Sequence, residues 1–156
     1  MTYEEYRQKK HIEVNDLPIF FAFSDDQFKK AMEERGLTIN DTDKVYRLPI
    51  SGGFYLRKDA DIIRAFFSKE DELSALMKDK EFAEEAYYYE MCNHEYAINW
   101  QGDWDVCSVF SDIELEYSDN YDYTDYLKMA GLEETIPFFQ NAKKKYHKAC
   151  EENDWF

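Results

Sequence analysis

The feature that most constrains this sequence is a stretch of 47 residues, 81–127, that contains no lysine and no arginine. The stretch holds 13 of the 34 acidic residues, whereas the other 109 residues hold 21 acids and 19 bases. Most of the net charge of −15 therefore belongs to less than a third of the chain. Because unmixed carboxylates repel one another and oppose a compact state, we expect folding to turn many of them outward.

The same stretch is also rich in aromatic residues. It contains eight of the 13 tyrosines, together with Trp100 and Trp104. Tyrosine adds apolar area and a hydroxyl group at low entropic cost, which suits protein-binding surfaces. We expect some of these rings to fill the core and others to border the acidic surface.

Length and composition predict a single domain that spans residues 1–156. Hydrophobic residues make up 44 % of the chain and aromatic residues 18 %, which excludes intrinsic disorder despite the charge. No apolar run reaches the roughly 18 residues of a membrane span, and the first residues form no apolar signal segment. The cysteines at 92, 107 and 150 form no CxxC pair, so we expect a reduced, cytoplasmic protein.

The pattern of elements predicts an α+β fold with about six helices and a small, mostly antiparallel sheet. Capping-box spacings, Thr2 with Glu5 and Ser24 with Gln27, are expected to open the first two helices. Further helices are predicted from Asp59, from Ser68, over 81–96, ending near Gly131, and over 135–153.

The predicted sheet is built from two hairpins and extra strands. The apolar run 19–23 predicts a buried strand, and residues 45–50 and 54–57 flank a glycine-rich turn as a first hairpin. Residues 97–100 and 104–110 flank Gln101-Gly102-Asp103 as a second hairpin. In residues 112–117, acidic and apolar side chains alternate, which predicts a half-buried strand with an acidic outer face.

This predicted strand carries the candidate site. Its outward residues Asp112, Glu114 and Glu116 would lie about 6.6–6.8 Å apart, and duplex DNA carries one charge per about 3.4 Å along each strand. A row of fixed carboxylates can therefore occupy a cationic groove built for nucleic acid. The predicted partner-binding residues are Asp103, Asp105, Asp112, Glu114, Glu116, Asp119, Tyr121, Asp122, Tyr123 and Asp125, with Glu81, Glu84, Glu85 and Glu95 as a secondary set.

We accordingly expect a non-enzymatic protein without cofactor or metal, whose partner is a basic, nucleic-acid-binding protein. Association should be fast and sensitive to salt. Direct binding to nucleic acid conflicts with the net charge of −15, because phosphate affinity comes from cationic contacts.

Two other functions stay open from the residues alone. The first is a metal-dependent hydrolase with a site near Asn93, His94, Glu95 and Asp105, which requires these side chains to converge. The second is an acidic structural protein without such a partner, which requires the carboxylates to be scattered over several faces. The sequence signal for a calcium site in residues 119–125 is weaker, because this segment lacks the spacing and the central glycine of an EF-hand loop.

Four short strings resemble a family of small acidic proteins of phages and low-GC Gram-positive bacteria. They are residues 18–24 (PIFFAFS), 52–57 (GGFYLR), 93–96 (NHEY) and 122–127 (DYTDYL). The resemblance implies a setting and no assigned activity. In that setting, small acidic proteins often look like inhibitors of host defence nucleases, including anti-restriction and anti-CRISPR DNA mimics, so the partner would be a host nuclease or CRISPR effector.

Overall fold

The computed structural model of the protein describes residues 1–48, 52–67 and 72–156 and confirms the predicted α+β class. The helices are α1 (Tyr3–Asn15), α2 (Asp25–Glu34), α3 (Ala60–Phe67), α4 (Glu72–Leu76), α5 (Lys80–Asn93), α6 (Gly102–Phe110), α7 (Tyr123–Met129) and α8 (Ile136–Glu152). The strands are β1 (Ile19–Phe21), β2 (Val45–Arg47) and β3 (Gly53–Leu56). Within the described ranges, no helix combines the length and the apolar composition needed to cross a bilayer.

The chain divides into two compact units. The sheet unit comprises residues 9–68, and the helical unit comprises residues 1–8 with 69–156. The sheet unit contains ten acids and ten lysines or arginines. The helical unit contains 24 acids and only nine lysines or arginines. All of the net charge of −15 therefore belongs to the helical unit. The single domain expected from the sequence stays a prediction.

The sheet unit contains a three-stranded antiparallel sheet in the order β1-β3-β2. The register places Phe20 opposite Phe54 and Tyr46 opposite Tyr55. The first predicted hairpin, β2 with β3, is thus confirmed, although residues 49–51 of its turn lie outside the described residues. At Gly53 a Cβ atom would lie 2.9 Å from Leu48 Cδ1 and 3.1 Å from Phe21 Cε1, so a larger residue would force these side chains to shift.

Both predicted capping spacings open helices as expected. In α1, Thr2 Oγ1 accepts a hydrogen bond from the Glu5 amide at 3.1 Å, and Glu5 Oε2 accepts one from the Thr2 amide at 2.8 Å. In α2, Ser24 Oγ accepts from the Gln27 amide at 3.2 Å. Each side chain satisfies an amide that the helix leaves without a carbonyl partner.

The core of the helical unit lies between α5 and α8, with α6, α7 and the first turn of α1 packed around it. The Tyr87 ring meets Phe110 and Phe139 edge to face, with ring centroids 5.0 Å apart in each pair. The buried Tyr87 hydroxyl lies 2.7 Å from Thr135 Oγ1, so its polar end is satisfied inside the core. Burying one such large side chain is worth roughly 1.5–3 kcal/mol.

The second predicted hairpin is wrong, because residues 102–110 form α6. Val106, Cys107 and Phe110 are buried at helical spacing, so one face of α6 supplies the core. Short runs of aromatic and β-branched residues do not by themselves distinguish a strand from a buried helix. The strand expected at 112–117 is also wrong, because this segment joins no sheet in the described part of the chain.

Candidate binding surface

Five acids of residues 81–127 are exposed and carry no hydrogen bond or ion pair within the described part of the chain. They are Glu81, Glu95, Asp112, Glu114 and Glu116. Three of them belong to the segment 111–118, which contains the strand predicted over 112–117. Asp112, Glu114 and Glu116 are exposed as the alternation predicted. Ile113, which the same alternation turned inward, is 56 % exposed, and the segment pairs with no strand in the described part of the chain, so the alternating pattern is wrong here.

The segment 111–118 is held by side chains instead of a neighbouring strand. Ser111 Oγ donates to the Ile113 carbonyl at 2.7 Å, and Trp104 Nε1 donates to the Leu115 carbonyl at 2.6 Å. The Leu115 side chain is buried in the core of the helical unit. At the far end, Tyr126 Oη donates to the Ser118 carbonyl at 3.0 Å. These anchors fix the backbone on which the exposed acids are carried.

A second group of predicted site residues accepts hydrogen bonds inside the protein. Asp103 joins three parts of the helical unit, because one of its oxygens accepts from the Tyr96 hydroxyl and the other from the Tyr123 amide at 3.2 Å. Burial, with a further contribution from Asp103, holds the pKa of Tyr96 far above its usual value. The main role of Asp103 in the structure is therefore to accept hydrogen bonds inside the protein, which its position in the sequence did not indicate.

Asp122 and Asp125 form a capping box at the start of α7. Asp122 Oδ1 accepts from the Thr124 amide at 2.9 Å and from the Asp125 amide at 3.3 Å, and Asp125 Oδ2 accepts from the Asp122 amide at 2.9 Å. The hydrogen bond from the Thr124 hydroxyl is the largest of the effects that lower the pKa of Asp122. These two acids therefore begin a helix.

Asp119, Tyr121 and Tyr123 have different surroundings. Asp119 accepts a hydrogen bond from the Tyr117 hydroxyl, which raises the pKa of Tyr117 to about 12. Tyr121 is exposed and meets Tyr126 edge to face. The Tyr123 ring stacks on Phe139 with centroids 4.5 Å apart, so this predicted surface tyrosine packs against the core.

The four glutamates of the secondary set have different surroundings and do not form one cluster. Glu84 Oε1 accepts from Asn141 Nδ2 at 2.8 Å, and Glu85 Oε1 accepts from the Glu4 amide at 3.3 Å. Both carboxylates therefore tie α5 to a neighbouring helix. Glu81 and Glu95 are exposed at opposite ends of α5, far apart along its axis.

No lysine or arginine of the described residues forms an ion pair with an acid of 81–127. Two lysines of α8 lie over tyrosine rings instead. Lys143 Nζ is 5.3 Å from the ring centroid of Tyr123, and Lys145 Nζ is 4.2 Å from that of Tyr88. The acids of the segment 111–118 are consequently not neutralised by direct pairing.

Trp100 is the residue that the site prediction missed. Its side chain is 77 % exposed, and its ring meets Tyr117 edge to face with centroids 5.4 Å apart. Tyr117 also contacts Trp104, at 6.0 Å. Tryptophan is one of the residue types most enriched among binding hot spots. Only the position of Tyr117 in the fold shows that Trp100 lies beside the acidic segment.

The loop that carries Trp100 is fixed by Asn99. Asn99 Nδ2 donates to the His94 carbonyl at 3.1 Å and to Asp105 Oδ2 at 2.6 Å, while Asn99 Oδ1 accepts from the Gln101 amide at 3.0 Å. Asp105, another predicted site residue, therefore orders this loop. A tryptophan held on an ordered loop loses less conformational entropy when a partner binds.

The alternative hydrolase hypothesis requires a carboxylate close to His94, and the one that lies there is Glu90, which the hypothesis did not name. His94 Nε2 lies 3.4 Å from Glu90 Oε2, and Asp105 reaches the neighbourhood of His94 only through Asn99. Within the described ranges, no group of three or more His, Cys, Asp and Glu side chains is placed to hold a metal ion.

The chain belongs to a family of unknown function (DUF7659), whose model matches residues 2–105. No curated protein and no solved structure matches the sequence. The family match covers Trp100, Asp103 and Asp105 and ends before the exposed acids of 111–118. This match confirms that the family has no assigned function, and it adds no activity.

Proposed function

We propose that this protein binds and inhibits a basic, nucleic-acid-handling protein by occupying its nucleic-acid groove. The binding face, called here the acid–tryptophan surface, comprises Trp100, Asp112, Glu114, Glu116, Tyr117 and Asp119. The proposed role is non-enzymatic and cytoplasmic. The proposed setting is a phage or mobile element acting against a host nuclease or CRISPR effector.

The observation that carries the proposal is the combination of unpaired acids and an exposed indole on one anchored part of the helical unit. Asp112, Glu114 and Glu116 are exposed and unpaired in the described part of the chain. Trp100 joins them through its contact with Tyr117, whose hydroxyl binds Asp119. Fixed carboxylates supply the attraction to a cationic groove, and the indole supplies apolar area that a partner can desolvate.

The charge distribution supports a partner of opposite sign. The helical unit carries the whole net charge of −15. Such a field accelerates encounter with a cationic protein and suppresses binding to nucleic acid itself. A host enzyme that binds DNA or RNA presents the complementary cationic groove.

The test begins with the immobilised protein and an extract of a low-GC Gram-positive bacterium, at low and high salt. The captured partner is identified, purified and titrated in solution, with duplex DNA as competitor. We expect a basic nucleic-acid enzyme that DNA displaces and whose activity the protein inhibits. Asp112→Lys/Glu114→Lys/Glu116→Lys should weaken binding at least tenfold, and Trp100→Ala about thirtyfold, as for a hot spot worth about 2 kcal/mol.

The matched control is Glu33→Lys/Glu34→Lys/Glu151→Lys, which changes the net charge equally. These exposed acids lie in the last turns of α2 and α8, where lysine is favourable to the helix. The control should weaken binding by less than about threefold after salt screening. Equal losses in both triple variants, or a partner that DNA does not displace, would contradict the proposal.

A further inference from the structure

A cavity of about 240 Å³ in the sheet unit is surrounded by positive charge. Among the residues that the structure describes, its lining consists of Arg35, Leu37, Lys44, Leu56, Arg57 and Lys58. Four of these six side chains are cationic and none is acidic, although the whole chain has 34 acids and 19 lysines and arginines. We infer that this cavity binds a small phosphate monoester, with the phosphate on the cations and the organic group on the two leucines.

Arg35 is held in place by two contacts at the end of α2. Its Nη1 donates to the Ala31 carbonyl at 2.9 Å, and its guanidinium carbon lies 3.9 Å from the centroid of the Phe20 ring. One of the five guanidinium N–H groups is used in this way, which leaves the others for an anion. A guanidinium held before binding loses little entropy when it forms a two-point contact with phosphate.

Arg57 is placed in a comparable way at the end of β3. Its guanidinium carbon lies 4.9 Å from the centroid of the Tyr46 ring on the neighbouring strand β2. Arg57 has no carboxylate within ion-pairing distance in the described part of the chain. The two arginines are therefore oriented by aromatic rings and are not neutralised by acids.

The two lysines add charge on the same cavity. Lys58 has no ion-pair partner among the described residues, and Lys44 makes one long contact, 3.7 Å from Asp41 Oδ1. Both ends of that contact are partly exposed, so it is weak and can yield to a ligand. A doubly charged phosphate ester matches this cluster better than a single carboxylate does.

The size and lining of the cavity restrict the ligand further. A volume of about 240 Å³ lies below the roughly 300–1,000 Å³ of sites for drug-sized molecules. Leu37 and Leu56 give the wall of the cavity some apolar character. These properties favour a small ester with one apolar or aromatic group over free phosphate or a long polyanion.

The test is a titration of the full chain with phenyl phosphate, followed by two-dimensional NMR of the leucine methyl groups. We expect saturable binding near about 1 mM, as for a ligand of this size, with shifts centred on Leu37 and Leu56. Inorganic phosphate and phenol, the two parts of the probe, should each bind at least fivefold more weakly. Arg57→Gln/Lys58→Gln should weaken binding at least tenfold.

Two further variants distinguish binding in the cavity from nonspecific electrostatic attraction to the surface. Arg35→Gln/Lys44→Gln should give a similar loss without changing the contact between Arg57 and Tyr46. Lys29→Gln/Lys30→Gln removes the same charge from exposed positions of α2 outside the cavity and should change affinity by less than twofold. Absence of saturation up to about 20 mM, equal loss in this control, or equal affinity for inorganic phosphate would overturn the assignment. The result does not depend on the proposed inhibitory function, because the acid–tryptophan surface lies in the helical unit.

Discussion

The Tyr3 hydroxyl donates a 2.8 Å hydrogen bond to Glu90 Oε1, although 87 residues separate them in the sequence. Glu90 is only 5 % exposed, and its other carboxylate oxygen lies 3.3 Å from Asn93 Nδ2 and 3.4 Å from His94 Nε2. This contact fixes the first turn of α1 on α5. It also explains how one acid of the acidic stretch is accommodated in the interior.

Removing the Tyr3 hydroxyl should therefore destabilise the helical unit. Tyr3→Phe leaves the buried Glu90 carboxylate without its closest donor, which costs about 1–3 kcal/mol. Urea unfolding monitored by circular dichroism measures the loss. Tyr89→Phe is the matched control, because the Tyr89 ring packs on Tyr3 but its hydroxyl has no hydrogen-bond partner in the described residues. Equal losses in the two variants would contradict this role of Glu90.

Stability should fall at alkaline pH. Burial is the largest cause that raises the pKa of Tyr3, Tyr87 and Tyr96 above the value of 10.0 of an exposed tyrosine. Above about pH 10 the unfolded chain loses these protons while the folded chain keeps them, so the free energy of unfolding decreases. Each such group contributes up to about 1.4 kcal/mol per pH unit.

This alkaline dependence can be assigned by substitution. Tyr87→Phe removes one of the three protons, so the slope of unfolding free energy against pH should become shallower above about pH 10. Urea unfolding at several pH values, with tyrosinate absorbance recorded in parallel, measures the slope. Tyrosinate formation at these positions before unfolding would contradict the argument.

Replacing Glu95 by glycine should stabilise the protein. It follows the end of α5 with a φ of +50°, in a Schellman motif in which the Tyr96 amide donates to the Met91 carbonyl at 3.0 Å. A left-handed conformation costs a residue with a Cβ atom about 1 kcal/mol relative to glycine. Glu95→Gly should therefore raise the free energy of unfolding by about that amount. Glu95→Gln, which removes the charge and keeps the Cβ atom, should give less than half of the gain.

The cap of α7 should contribute to stability in a pH-dependent manner. Asp122→Ala removes the acceptor for the Thr124 and Asp125 amides and should cost about 1 kcal/mol. The pKa of Asp122 is lowered on folding, mainly by the Thr124 hydroxyl, so its contribution is present above the unfolded pKa and lost as pH falls through the folded one. Asp122→Asn keeps an acceptor and should lose less at neutral pH. Thermal unfolding of the variants is measured between pH 2 and 7, in steps of about 1 pH unit. If Asp122→Ala remains equally destabilising at the acid end of this range, the pH dependence is contradicted.

The elements that the sequence predicted correctly depend on neighbours within a few residues. Ser24 caps α2 because its hydroxyl reaches the amide three residues on, and Gly36 ends that helix with a φ of +72°. The hairpin of β2 and β3 follows from a glycine-rich turn between two apolar runs. In each case the signal and the structure it specifies lie in the same short segment.

In the acidic stretch, residues 81–127, local sequence signals did not predict the structure completely. The sequence by itself determined that residues 81–127 carry 13 acids without a lysine or arginine. Asp112, Glu114 and Glu116 are exposed as predicted, but Ile113 between them is exposed as well, so the alternation in 112–117 did not describe this segment. Whether residues 102–110 form a strand or a helix depended on the burial of Val106 and Phe110 in a shared core. Packing also decided the partners of each acid, because a carboxylate hydrogen bonds to whichever donor the fold brings near. Tyr3 reaches Glu90, Trp104 holds the backbone at Leu115, and Tyr117 places Trp100 beside the exposed acids through contacts that no short segment contains.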